Sequence, residues 1–167
     1  NIGTGIGGGI VIGGKLYRGC GNAGEFGHQI VLPDGPQCLC GKHGCLESLA
    51  SGTSIARRAR ESGFEGIAEQ VAQAAREGDA IARRIMDETA EYLGLGVANV
   101  VNILNPRMVI LGGGVMKAAD LLFEGIRKTV DERAMTQLAQ VVRIVPGILG
   151  DQAGITGAIL LAMDPRP

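Results

Sequence analysis

Hydrophobic positions come in short bursts over the first third of the chain and recur at helical spacing over most of the rest. Ile10 to Ile12 and Leu16 to Arg18 are short apolar stretches on either side of Gly13-Gly14. That pair tolerates positive φ and predicts a β-hairpin. Gln29 to Leu32 predicts another strand, stopped by Pro33, which cannot donate to a ladder. Beyond Leu46 the pattern turns helical. Ser51 or Ser54 can cap a helix reaching about Glu61, and a second helix is expected over Ile67 to Arg76, broken by Gly78. Asp79 then caps a long helix to about Leu104, with Ile81, Ile85, Met86, Leu93, Val97, Val100, Val101 and Leu104 in helical register. Asn105-Pro106 ends it. Met108 to Leu111 predicts a buried strand opening into Gly112-Gly113-Gly114. A helix over Ala119 to Ala134, a strand at Val141 to Val145 and a helix over Ala153 to Met163 follow. Strand and helix alternate in this second half, which implies an α/β domain with a parallel or mixed sheet and flanking helices.

At 167 residues the chain fits one domain, 1–167, with the change from strand to helix near Leu46 internal to it. The formal charge of −1 is spread among interspersed acids and bases, so no basic stripe points to nucleic acid. Aromatics make up 3% of residues, too few for the stacking platforms used on single strands. No apolar run reaches the ~20 residues of a membrane span, and no signal peptide is visible. With reduced thiols this reads as cytoplasmic. The start at Asn1, leading directly into a glycine loop, is read as the beginning of a piece whose upstream residues lie outside this sequence.

The densest chemistry lies between Gly24 and Gly52, where His28, Cys38, Cys40 and Cys45 fall among glycines and a proline. Thiolate and neutral imidazole are the donors that close a tetrahedral Zn²⁺ shell. Gly35-Pro36, Gly41 and Gly44 supply turns that can fold the ligands inward. A disulfide is the weaker reading, because Cys38 and Cys40 are too close to pair without strain. His43 lies inside the cysteine loop, and local spacing by itself favours it over His28, so the identity of the histidine stays open on these residues. Cys20 is left over and is expected to be a small buried hydrophobe.

Two glycine loops, Gly3-Thr4-Gly5 and Gly112-Gly113-Gly114, form a second line of evidence. Glycine lets backbone amides approach an anion closely, and Thr4 adds a hydroxyl. The second loop follows a strand at its carboxyl end, where open α/β sheets bind ligands. Neither is a P-loop, since no Gly-Lys-Ser/Thr follows. Glu25 and Glu47 bracket the cysteine segment. An exposed glutamate is ordinarily solvated surface, yet carboxylates fixed beside a metal loop are good acceptors for sugar hydroxyls.

Several segments together resemble the ROK family of repressors, open reading frames and sugar kinases, and within it the bacterial glucokinases. They are GTGIGGG at 3–9, AGEFGH at 23–28, CLCGKHGCLE at 38–47, ASG at 50–52, NPRMVILGGGV at 105–115 and DQAGITGA at 151–158. The resemblance implies an actin-like ATPase (ribonuclease H-like) fold, of which this chain is the C-terminal domain with a small zinc-binding segment, 28–47. It selects His28 over His43 as the fourth ligand beside Cys38, Cys40 and Cys45. It implies that Glu25, His28 and Glu47 hold a hexose, and that Gly3, Thr4, Gly5, Gly7, Gly8, Gly112, Gly113 and Gly114 face ATP. Zinc is structural on this reading, and ATP comes with Mg²⁺.

The family's Asp-x-Gly-Gly-Thr phosphate motif and its base aspartate belong to an N-terminal domain, and neither is in this sequence. No catalytic base is therefore assigned here, and the chain alone is expected to be inactive. A homodimeric glucokinase is expected for the whole protein. The alternatives are a kinase for N-acetylglucosamine or N-acetylmannosamine, and the effector-binding domain of a sugar-responsive repressor.

Overall fold

A computed structural model describes residues 1–163; the expected end of the domain at Pro167 lies outside the described residues. The chain opens with a loop bridged between Ile2 and Ile6. The hairpin follows, with β1 at Ile10–Ile12 and β2 at Lys15–Tyr17, antiparallel with Ile10 opposite Tyr17. Gly13 and Gly14 turn it at φ of 59° and 77°, the positive values that its two-residue turn requires.

Helices then build the core. α1 spans Leu46–Ala50 and α2 spans Gly52–Glu61, capped by the Ser51 hydroxyl, which accepts from the Ser54 amide. α3 is Ala68–Arg76, and α4 is the long helix Ala80–Leu104, capped by Asp79 at the Ala82 amide. Asn105 closes α4 in the left-handed region, φ 43°, just before Pro106. β3, Met108–Leu111, leads through the triple glycine and a short 3₁₀ turn into α5, Ala119–Arg133. A short α6, Thr136–Ala139, precedes β4, Arg143–Pro146, which lies parallel to β3 with Met108 opposite Arg143. The last helix is α7, Ala153–Met163.

α4 is the spine. Ile85, Met86, Ala90, Leu93 and Val101 are buried along it, against Leu122, Ile126 and Val130 of α5. The two helices cross closely because glycine meets side chain at both contacts. A Cβ on Gly94 would stand 2.4 Å from the Thr129 Cβ, and one on Gly125 would stand 2.8 Å from the Ala90 Cβ.

Several expectations are corrected. Gln29 to Leu32 forms no strand, only a bridge from Ile30 to Cys45, because Val31 and Leu32 donate their amides to Gly44 in a turn. The second hairpin strand and the last strand each lie one or two residues away from their predicted limits. α1 and α6, each shorter than two turns, carried no periodic signal. A mixed sheet does not form among the described residues: the antiparallel β1–β2 pair and the parallel β3–β4 pair are separate sheets. Both leave strand faces exposed, Val11 at 67% and Ile110 at 61%. Cys20 is exposed rather than buried. It sits in a tight turn, where Gly21 and Ala23 donate to the Arg18 carbonyl.

Candidate metal and nucleotide sites

The cysteine segment folds around close backbone approaches. Gly44 takes φ 70°, and a Cβ there would collide with the Leu32 carbonyl. Cys38 donates its amide to the Lys42 carbonyl at 2.7 Å, and Gly41 donates to Cys38 at 2.9 Å, a turn that aims the first two thiols the same way. Ile30 bridges Cys45, and Leu46 donates to the Gln29 carbonyl, which brings the segment after His28 against the start of α1.

These turns gather one ligand atom each from His28, Cys38, Cys40 and Cys45, all within 4.8 Å of one another. Cys38 Sγ is 3.7 Å from His28 Nδ1, and Cys40 Sγ is 3.6 Å from Cys45 Sγ. The second distance is far beyond the ~2.05 Å of a disulfide bond. It is close to the ~3.8 Å edge of a tetrahedron built with Zn–S distances of about 2.3 Å. Cys38 and Cys45 are buried, while Cys40 and His28 are exposed. Burial pushes the Cys45 thiol up to about 12. The Cys40 thiol is lowered, chiefly by the backbone amide of Lys42. Three sulfurs and an imidazole nitrogen gathered this closely form a donor set compatible with a soft divalent metal such as zinc. His43 stands outside the group: it is exposed, and its Nδ1 lies 3.2 Å from the Gly35 carbonyl.

The two predicted carboxylates are placed differently. Glu25 is exposed, with Oε2 3.9 Å from His28 Nε2, on the side of the ring facing away from the sulfurs. Glu47 is half-buried in α1, and its Oε2 accepts the Ile6 amide at 2.8 Å. A Cβ on Gly5 would stand 2.5 Å from that oxygen. Glycine at position 5 thus lets the loop lie directly on the carboxylate.

The two glycine loops meet. Ile2 donates to the Gly112 carbonyl at 2.7 Å, and Val115 donates to the Ile2 carbonyl at 3.0 Å. Gly113 takes φ 98°, and a Cβ there would stand 2.5 Å from the Ile2 carbonyl oxygen. The start of α2 joins them: Gly52 donates to the Gly3 carbonyl at 2.7 Å, and the Thr53 hydroxyl to the Thr4 carbonyl at 2.8 Å. Gly3, Thr4 and Gly114 then line a cleft of about 750 Å³ with Thr53, Arg57 and Arg60 of α2. Those three α2 residues were missed. Their spacing, i, i+4 and i+7, marks one helix face, but nothing in the sequence says which face meets the glycines. Gly7 and Gly8 turn elsewhere, to an apolar hollow of about 220 Å³ bordered by β1, α4 and β3.

A profile of the ROK family matches residues 1–165. The chain belongs to the ROK family. It is similar to the glucokinase of Halalkalibacterium halodurans, 41% identical over 173 residues, which cover 93% of this chain and 52% of that protein. Among solved structures, the ROK family glucokinase from Streptomyces griseus in complex with glucose and AMPPNP superposes with a TM-score of 0.84 at 36% identity. That match covers 96% of this chain and 58% of that one. The xylose repressor of Caldicellulosiruptor bescii is also similar, 33% identical over 98% of this chain and 45% of the repressor. The ROK chain described here therefore spans about half the length of the curated relatives it matches. Its α/β architecture is that of ROK sugar-kinase structures. No helix among the described residues is long and apolar enough to cross a membrane.

Proposed function

We propose that this chain is the C-terminal, sugar- and ATP-binding half of an ATP-dependent hexose kinase, acting on the 6-hydroxyl of glucose. One observation carries the reading. The loop from Gly3 to Ile6 lines the cleft with Thr4 at one end and rests on Glu47, two residues beyond Cys45, at the other. A phosphate site and a carboxylate suited to a sugar are thus separated by a few residues of one loop, the proximity that phosphoryl transfer demands.

On this reading Glu25 and Glu47 accept hydrogen bonds from sugar hydroxyls, and His28 binds the sugar through Nε2. His28 Nδ1, with Cys38, Cys40 and Cys45, would hold zinc. Four protein ligands make such a site structural, holding the segment in shape. Gly3, Thr4, Gly5 and Gly112 to Gly114 receive ATP, with Mg²⁺ offsetting the charge of its phosphates. Gly7 and Gly8 shape the loop's return rather than touch nucleotide. The general base that takes the proton of the attacking hydroxyl is supplied by an N-terminal domain. Phosphorus then exchanges its bond to the bridging oxygen of ADP for one to the sugar oxygen.

The test is glucose-dependent ADP formation by the full-length protein, with glucose 6-phosphate as product and the excised 167-residue chain inactive. N-acetylglucosamine and N-acetylmannosamine serve as competing substrates. A repressor is the second reading, favoured by the similarity to a xylose repressor over nearly the whole chain. Sugar-dependent release from DNA without ATP turnover would establish it in place of the kinase.

A further inference from the structure

We infer that Cys40 is a site of reversible oxidation: hydrogen peroxide oxidises its sulfur, and Cys45 captures the product as a disulfide, withdrawing two of the four metal ligands. This rests on the zinc reading and adds the chemistry that empties the site.

The three sulfurs of the group differ in access. Cys38 and Cys45 are buried, at 5% and 0% exposure, whereas Cys40 is exposed. It belongs to a run, Leu39 to His43, that is exposed throughout. An oxidant arriving from solvent therefore meets Cys40 before either of the other two. Oxidation of cysteine follows exposure as well as thiolate character.

One neighbouring sulfur is placed to answer. Cys40 Sγ lies 3.6 Å from Cys45 Sγ, about 1.6 Å more than a disulfide bond. Cys38 is two positions away along the chain, too near to bridge without strain. Its sulfur stands beside His28 Nδ1, at 3.7 Å.

The closing motion has a hinge on one side. Gly41, next to Cys40, takes φ 85° in open space, with nothing within 4 Å of where a Cβ would stand. Gly44, next to Cys45, is pinned: it donates to the Pro36 carbonyl at 2.9 Å and lies against the Leu32 carbonyl. Cys45 also leads directly into α1. Cys40 moves, and Cys45 stays.

The steps balance with one molecule of hydrogen peroxide. The Cys40 sulfur attacks a peroxide oxygen, forming an S–O bond as the O–O bond breaks, and the departing oxygen leaves as water. The Cys45 sulfur then attacks the Cys40 sulfur. An S–S bond forms, the S–O bond breaks, and the hydroxyl leaves as a second water with the remaining thiol hydrogen. Two electrons pass from the two thiols to the peroxide. A disulfide sulfur lacks the charge of the thiolate that binds metal, so the set falls to His28 and Cys38.

The experiment treats zinc-loaded full-length protein with hydrogen peroxide in a Cys20→Ser background, which removes the exposed cysteine outside the group. A chromogenic chelator reads released zinc, and peptide mapping reads the cross-link. One zinc should leave for each Cys40–Cys45 disulfide formed, and dithiothreitol with added zinc should restore both. Cys40→Ser should leave Cys45 reduced at the same dose. Mapping the protein that keeps Cys40 decides the order of oxidation even where Cys40→Ser folds poorly. Absence of the Cys40–Cys45 disulfide, a Cys38–Cys45 disulfide forming first, or zinc retained after Cys40 and Cys45 join overturns the inference. Zinc released with the disulfide while glucose affinity is unchanged would leave the oxidation site standing and defeat the segment's role in sugar binding. Purified protein that holds no zinc defeats the metal reading and the inference together.

Discussion

The Glu47 carboxylate accepts the Ile6 amide hydrogen at 2.8 Å across 41 residues of sequence. This bond ties α1, which begins immediately after Cys45, to the loop that lines the cleft beside Thr4.

Glu47→Ala would leave the Ile6 amide without its acceptor in a half-buried position. A loss of about 1–3 kcal/mol is expected from urea unfolding. Glu47→Gln keeps an acceptor oxygen and should lose much less stability, yet it removes the charge that strengthens hydrogen bonds from sugar hydroxyls. Glucose affinity should therefore fall in both variants, while stability falls mainly in the first.

Metal analysis should find one zinc per chain in the purified full-length protein. Cys45→Ser removes a fully buried ligand and should abolish both metal and cooperative unfolding, with Cys40→Ser, at an exposed ligand, less damaging to the fold. His28→Ala should lose metal and His43→Ala should keep it. The reverse result for the two histidines would reassign the fourth ligand. Chelation should disorder residues 28–47 and weaken sugar binding; unchanged glucose affinity in verified zinc-free protein would contradict the structural role.

Among the described residues, Arg58 is a cation set deep beside the core. Its side chain is 12% exposed, and it pairs with Glu88 at 2.9 Å. It also donates to the Ile85 carbonyl and the Thr89 hydroxyl and lies 5.7 Å from the Tyr92 ring centroid. Its Nε has no partner among the described residues. Burial lowers its pKa, yet a guanidinium stays charged. Glu88→Ala leaves that charge without its counter-ion and should cost about 2 kcal/mol, less than for a fully buried pair because Glu88 is partly solvated. Arg58→Met removes the charge while filling the space and should cost less, about 1 kcal/mol. Chemical denaturation of the two variants reads the order directly.

Arg76 of α3 grips Asp120 of α5 through two hydrogen bonds of 2.7 and 2.8 Å, holding the Asp120 carboxyl below its usual range. A depressed folded pKa means the stabilisation is complete above the ordinary aspartate value of 3.8 and is lost as pH falls through the lower, folded value. Both groups are largely exposed, so screening limits the pair to about 0.5 kcal/mol. Asp120→Asn should be less stable than wild type at neutral pH, and the difference should close as the pH falls through the lowered, folded value of Asp120.

Much of this protein was written locally. The caps at Ser51 and Asp79, the Gly13-Gly14 turn and the stop at Asn105-Pro106 depend on neighbours within a few residues, and they are where the sequence puts them. The donor atoms of His28, Cys38, Cys40 and Cys45 were legible because thiols and imidazole at such spacing, among glycines, have few other uses. The choice between His28 and His43 was not local: spacing favours His43, the family resemblance selects His28, and the fold brings His28 to the sulfurs. Cys20 was misread for the same reason, since burial depends on what packs over a turn.

Short-range chemistry, then, is what the sequence determined by itself: where helices start and stop, which residues can hold a metal, and which loops have no Cβ. Tertiary structure alone decided that Gly5 rests on Glu47, that Gly113 meets Ile2, and that Arg57 and Arg60 both line the cleft beside Thr4. Those contacts join residues tens of positions apart. They are set by how α2, α4 and α5 stack, and that stacking comes from summed burial over many side chains, which no single stretch of sequence encodes.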